Sequence, residues 1–304
     1  MILLVLEQTL NGLQYGVMLL LMAAGLTLVF GIMNLVNLAH GSLYMVGAYL
    51  ATGFYQWTGS FLASVALALA ATLVVGIVVE VVALRTLYER DHLDQVLATF
   101  GLILFFNELI AIVWGRAALY SSLPGWLSGH MQVLPGVRYP VYRALVILVG
   151  LVVAALLYLM VTRTRLGMLI RAGASNRTMV AALGVNIRLL YTVVFGVGAA
   201  LAGLAGLIAG PIYAVQPGMG EQILIQVFVV IVIGGIGSIR GAVVGAVIVG
   251  MVDTLGRAFL KPVLSIVLSP SAADTAGPAL ASMLIYMLMA AVLAVRPQGL
   301  FPVR

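Results

Sequence analysis

The sequence predicts an all-α polytopic membrane protein with about nine transmembrane helices, within a range of about eight to ten. Three observations predict it. The chain of 304 residues is 63% hydrophobic and only 8% charged. A soluble domain is about 25% charged, and so few charges cannot clothe a water-facing surface. Apolar runs of crossing length recur along the chain, and its mean hydropathy is +1.20. The basic residues gather in a few of the intervening segments. No low-complexity tract or charged tail divides the sequence, so residues 1–304 are expected to form one transmembrane domain.

A helix needs roughly 20 apolar residues to cross the hydrocarbon core. Reading between the charges places spans at 9–30, 40–56, 60–84, 95–114, 141–162, 189–210, 222–238, 241–260 and 279–295. The second and seventh are short, and broken helices are expected near 31–42 and 234–241. Residues 9–30 read as a retained first span, because no basic stretch or small-residue cleavage site accompanies them. The segment 163–188 carries Arg163, Arg165, Arg171, Arg177 and Arg188, which makes it cytoplasmic by the positive-inside rule. Alternation then puts Arg85, Arg90, Arg240, Arg296 and Arg304 inside as well. Arg116, Arg138, Arg143, Arg257 and Lys261 fall outside, so the expected topology is N-out, C-in. The external segments are 115–140, with Trp126, Tyr120 and Tyr139 suited to an interfacial belt, then 211–221 and 261–278. The surplus of basic residues is thus a topology signal, and no nucleic acid partner is expected.

Residues 31–42 raise a question of their own. Asn34, Asn37, His40, Ser42 and Tyr44 sit between two apolar runs. Irregular backbone at membrane depth is tolerated where it is buried in protein or lines a cavity, and transporters bind substrate at such interruptions. These five residues are therefore candidates for a substrate path or gate. The plainer alternative is a tight turn near the inner face, with Asn37 capping the second helix. Among ionisable residues inside spans, Glu80 has Arg85 within reach, and Asp253 has Arg257 four residues on. Glu108 has only Arg116, two turns away, and joins the path candidates. G-x-x-x-G pairs at Gly12/Gly16, Gly206/Gly210, Gly237/Gly241 and Gly241/Gly245 let helices approach closely.

The segment "RTRLGMLIRAGASNRTMVAALGVNIR" (163–188) is the long cytoplasmic interruption. Ser175 or Asn176 is suited to cap a short helix through Leu183, with Gly184 as its left-handed stop. Met179, Val180 and Leu183 fall on one side of it. Such a helix fits a groove on a partner; a solvated connector is an equal reading on spacing alone. Several chemistries are absent from the sequence. No G-x-x-x-x-G-K-[ST] phosphate cradle occurs, and Lys261 is the sole lysine. "GGIGS" (234–238) lacks a lysine and lies in an apolar run, which reads as close helix packing. There is no G-x-S-x-G or H-E-x-x-H, no cysteine, and three scattered histidines. No catalytic residue, cofactor or metal site is expected.

Four stretches taken together, "GLTLVFGIMNLVNLAHGSLYMVGAY", "RAGASNRTMVAALGVNIR", "VVIVIGGIGSIRGAVVGA" and "RPQGLF", resemble the branched-chain amino acid permeases of bacterial ABC importers. The likeness is to the shorter permease subunit of the leucine/isoleucine/valine system, and it covers nearly the whole chain. It implies a non-catalytic subunit of an ATP-driven importer in the bacterial inner membrane, for branched-chain or related neutral amino acids. Implied partners are a second permease subunit, two cytoplasmic ATPase subunits, an extracytoplasmic substrate-binding protein and the surrounding lipid. It also implies that Ala174 to Gly184 is the coupling helix, with Ala174, Ser175, Met179, Val180, Ala181, Ala182, Leu183 and Gly184 meeting the ATPase. Urea and short-chain amide permeases share the pattern and stand as an alternative. A lone ion-coupled carrier is a further alternative, for which Glu108 and Asp253 are the available carboxylates.

Overall fold

The computed structural model describes residues 2–134 and 136–301. Ten α-helices occur among them: α1 (Ile2–Met33), α2 (His40–Thr58), α3 (Phe61–Val82), α4 (His92–Trp114), α5 (Val141–Arg163), α6 (Arg165–Ala182), α7 (Ile187–Ala209), α8 (Met219–Gly234), α9 (Ile239–Leu264) and α10 (Pro270–Val295). Nine of them match the nine expected spans, and α6 is the helix of the 163–188 segment. Seven are long and apolar enough to cross a bilayer: α1, α3, α4, α5, α7, α9 and α10. The remaining two are α2 and the 16-residue α8, which are the two spans expected to be short. Arg304 lies outside the described residues.

Local sequence explains five of the ten helix starts. Ser60, Thr164, Asn186, Ser238 and Ser269 each accept a backbone N–H from three residues on, which satisfies one orphan donor of the first turn. The chain forms two compact units. One comprises 1–20, 125–151 and 227–304. In it, Gly12 and Gly16 of α1 lie against the backbone of α9 at Met251 and Ala246. Gly241 and Gly245 of α9 press on Gly234 and Val230 of α8. The "RPQGLF" stretch has a structural task here. The N–H groups of Leu300 and Phe301 reach the Ile233 and Gly234 carbonyls, each at 2.9 Å, and close the C-terminus of α8. Residues 234–241 are therefore a four-residue turn, 235–238, between two complete helices. A hairpin of β1 (His130–Leu134) and β2 (Val137–Pro140), with His130 opposite Pro140, forms within the expected external segment.

The second unit comprises 21–124 and 152–226. It is centred on α7, whose inward residues run from Leu190 to Ala209. The α2–α3 hairpin turns at Gly59 and packs on α7, where Gly203 meets Gly47 and Thr72, and Gly76 meets Ala199. The segment Leu21–Val29 of α1 is fully buried, and Gly25 touches Gly198 and the His40 ring. Gly198 lies half-way along α7, so α2 begins at that half-depth and not at the end of a span.

Candidate functional site

Two features of the second unit stand apart from packing: an exposed short helix and a pair of helix starts inside the span region. The 163–188 segment supplies the first. α6 is kinked at Asn176, whose φ is −154° and ψ is 91°. The Asn176 Oδ1 accepts the Met179 N–H at 2.9 Å, so of the two expected caps it is Asn176 that caps the short helix 177–182. Gly184, at φ +85°, ends it in the left-handed region that a side chain resists. The Gly184 and Val185 N–H groups close on the Ala181 and Val180 carbonyls at 2.9 and 3.4 Å. Val180 is buried and pins the helix down. Ala174, Ser175, Met179, Ala181, Ala182, Leu183 and Gly184 are exposed, Leu183 at 77%, among exposed Arg171, Arg177 and Arg188. Seven of the eight expected contact residues thus face outward, and Val180 turns in.

The break between α1 and α2 supplies part of the second feature. Asn34, at φ +51°, closes α1 by donating its N–H to the Phe30 carbonyl at 2.9 Å, and its side chain is exposed. The Val36 N–H reaches the Gln95 Oε1 at 3.4 Å, while the Gln95 Nε2 donates to the Leu87 and Arg90 carbonyls at 3.2 Å each. From there the chain returns towards mid-span. Asn37 is fully buried, and among the described residues neither its Oδ1 nor its Nδ2 has a hydrogen-bond partner. It does not cap α2, whose N-cap is Ala39 without a side-chain bond. His40, Ser42 and Tyr44 are buried too. A buried amide left without partners is rare and calls for a reason beyond packing.

A second descent mirrors the first. After α7, Leu119 and Val215 exchange N–H···O bonds of 2.8 and 2.9 Å. The chain then dips to Asn107 of α4, whose Oδ1 accepts the Gly218 N–H at 3.1 Å and whose Nδ2 donates to the Glu221 carboxylate. Asn107 lies seven residues before the end of α4 at Trp114, about 10 Å of helix rise. Gly220, in the first turn of α8, abuts Gly41, in the first turn of α2, so closely that neither position has room for a Cβ. Two helices therefore begin within the span region, and their first turns meet. Residues 218–221 were expected outside the membrane; the Asn107 clamp draws them inward. The interruption that answers 34–39 is 210–218, not 234–241. Sequence reading missed Gln95, Asn107 and Gly220, because each acts through a contact distant along the chain.

The three carboxylates singled out in the sequence are each paired with an arginine. Glu80, fully buried, accepts from Arg85 at 3.2 Å and from Thr192 at 2.7 Å, and the Tyr88 hydroxyl also donates to it. Burial, with that bond to Glu80, holds the Tyr88 phenol well above its ordinary range, so it stays a donor. Asp253 is bidentate with Arg257 at 2.9 and 3.0 Å. Glu108 is bidentate with Arg116 at 2.8 and 3.1 Å and is exposed. The structure brings Asn37, His40, Ser42 and Tyr44 together on one buried turn, and engages Glu108 elsewhere, with Arg116.

The family described as "Branched-chain amino acid transport system / permease component" matches residues 8–293. The chain is 32% identical over 265 residues to the high-affinity branched-chain amino acid transport system permease protein BraD of Pseudomonas aeruginosa, covering 83% of this chain and 86% of that one. It is 30% identical over 273 residues to the corresponding protein LivH of Escherichia coli K12, covering 84% and 87%. The ribose import permease protein RbsC of the same organism is 26% identical over 246 residues, 77% and 72% of the two chains. No solved structure matches.

Proposed function

We propose, from the premise that this chain belongs to the branched-chain amino acid transport permease family, a division of labour for it. It is a multi-pass protein of the cytoplasmic membrane and a permease subunit for branched-chain amino acids. In our reading it forms half of the path, a second permease subunit forms the rest, and an extracytoplasmic binding protein delivers the substrate. Two cytoplasmic ATPase subunits supply the energy. The sequence has no phosphate cradle of its own.

The observation that carries this reading is the capped, arginine-ringed helix of 177–182. Exposed apolar side chains on a polar segment are suited to a partner's groove. Met179 and Leu183 are its apolar contacts, and Ala174, Ser175, Ala181, Ala182 and Gly184 give close backbone approach. Val180 holds the helix to its own unit, so force applied at Leu183 passes into α7 and α1 through Leu190 and Ile32, which flank Gly173.

The buried turn of Asn37, His40, Ser42 and Tyr44, with Asn34 at its foot, is the proposed gate. The Asn37 amide oxygen and nitrogen lack hydrogen-bond partners among the described residues while the Gly41–Gly220 contact is shut. Opening that contact would give them water or substrate to bond. Glu108 serves the outer end through its pair with Arg116 rather than meeting substrate. The ion-coupled alternative needs a free embedded carboxylate at Glu108 or Asp253, and both are matched by arginine.

The experiment is a Leu183→Asp substitution in the assembled transporter. It is expected to abolish co-purification of the ATPase and ATP-driven leucine uptake while leaving the permease in the membrane. ATPase recovered at normal yield would overturn the assignment.

A further inference from the structure

Glu221 is unlike the other carboxylates in the chain. It stands in the first turn of α8, one residue after Gly220, and so at the depth where α8 meets α2. Two independent marks fix that depth. Gly41, which Gly220 touches, follows His40, which lies against Gly25 beside the mid-point of α7. Asn107, which bonds Glu221, lies about two turns inside the end of α4. Yet Glu221 is exposed, as is Gln222 beside it.

A carboxylate at this depth does not face hydrocarbon. Ionisable groups within spans turn towards a water-filled path or a partner of opposite charge. Glu80, Asp253 and Glu108 each have their arginine, whereas Glu221 accepts its hydrogen bond from a neutral amide. Asn107 fixes its direction: one amide holds both the Gly218 N–H and the Glu221 carboxylate. The result is an anionic group held rigidly on an exposed face inside the span region, with an amide side chain next to it.

We infer that Glu221 is the anionic contact of the transport path, which the α-ammonium group of a passing amino acid meets. The inference rests on the functional reading above and deepens it. A zwitterion crossing the membrane carries its ammonium charge to mid-depth, and a charge-assisted hydrogen bond to a fixed carboxylate replaces water there. Because the Asn107 Nδ2 donates to one oxygen, the other is left for the substrate. Binding is by charge and not by side-chain shape, so Glu221 contributes to recognition of the amino acid class and leaves the choice among leucine, isoleucine and valine to other residues.

The test uses the full complex in proteoliposomes, with labelled leucine loaded on the binding protein. Glu221→Gln keeps an oxygen to accept from Asn107 and removes the charge. It is expected to cut leucine uptake by roughly tenfold or more, as loss of a charge-assisted bond does, while the subunits co-purify and the loaded binding protein still stimulates ATP hydrolysis. Glu221→Asp, which keeps the charge, is expected to recover part of the uptake. Uptake by Glu221→Gln within twofold of the unmutated complex would overturn the inference. So would loss of the second permease subunit from the purified variant, which would make the carboxylate an assembly contact. A failure of the functional reading itself would show in the unmutated complex, as leucine uptake that ignores ATP.

Discussion

Glu80 persists as a buried carboxylate because Arg85, Tyr88 and Thr192 all direct donors at it, joining the ends of α3 and α7. Removing one partner from such a set leaves the other charge poorly matched. Glu80→Ala should destabilise the protein by about 3 kcal/mol, tempered by the 35% exposure of Arg85, and lower the melting temperature in detergent. Asn37 should behave in the opposite way. Its amide is buried with no partner among the described residues, and such a group costs about 1–3 kcal/mol. Asn37→Leu should therefore hold or raise the melting temperature while uptake falls; a fall in both would make Asn37 a structural residue. The first of these pairings was legible in the sequence, since Glu80 and Arg85 are neighbours on the chain. The partner Thr192 was not, because it lies on another helix.

At the scale of elements, the short helix 177–182 could be read directly. Its cap at Asn176, its stop at Gly184 and its apolar edge are all local chemistry. Replacing Gly184 by Val forces a β-branched residue to φ +85° at a cost of about 1–3 kcal/mol. That change should unravel the end of the helix and weaken ATPase co-purification, with membrane insertion unchanged. The re-entrant start of α8 was hidden for the opposite reason. Nothing in "PIYAVQPGMGE" (211–221) announces that Asn107 will bond Gly218, or that Gly220 will meet Gly41. Residues 235–238, where a broken helix was expected, form an ordinary helix–helix turn. The Gly41–Gly220 contact makes its own prediction. Gly220→Val has no space for its side chain against the Gly41 backbone, so the gate should be held apart. Such a variant should assemble normally and lose the link between ATP hydrolysis and leucine uptake, read as fewer leucines moved per ATP.

For the molecule as a whole, composition and the spacing of charges were enough to expect an all-α polytopic membrane protein; among the described residues a helix stands at each of the nine expected places, and seven of these helices are long and apolar enough to cross a bilayer. The two that are short are the two whose starts lie inside the span region, so their length records their position. Family membership supplies the substrate class, and the arginines of 163–188 mark that segment as cytoplasmic by the positive-inside rule. In the proposed function, separate ATPase subunits act on this chain through the helix around Leu183. The most direct measurement is leucine uptake into proteoliposomes made with and without the ATPase subunits, each with ATP on the ATPase side. Uptake only when the ATPases are present is the predicted result; equal uptake when they are left out would contradict it.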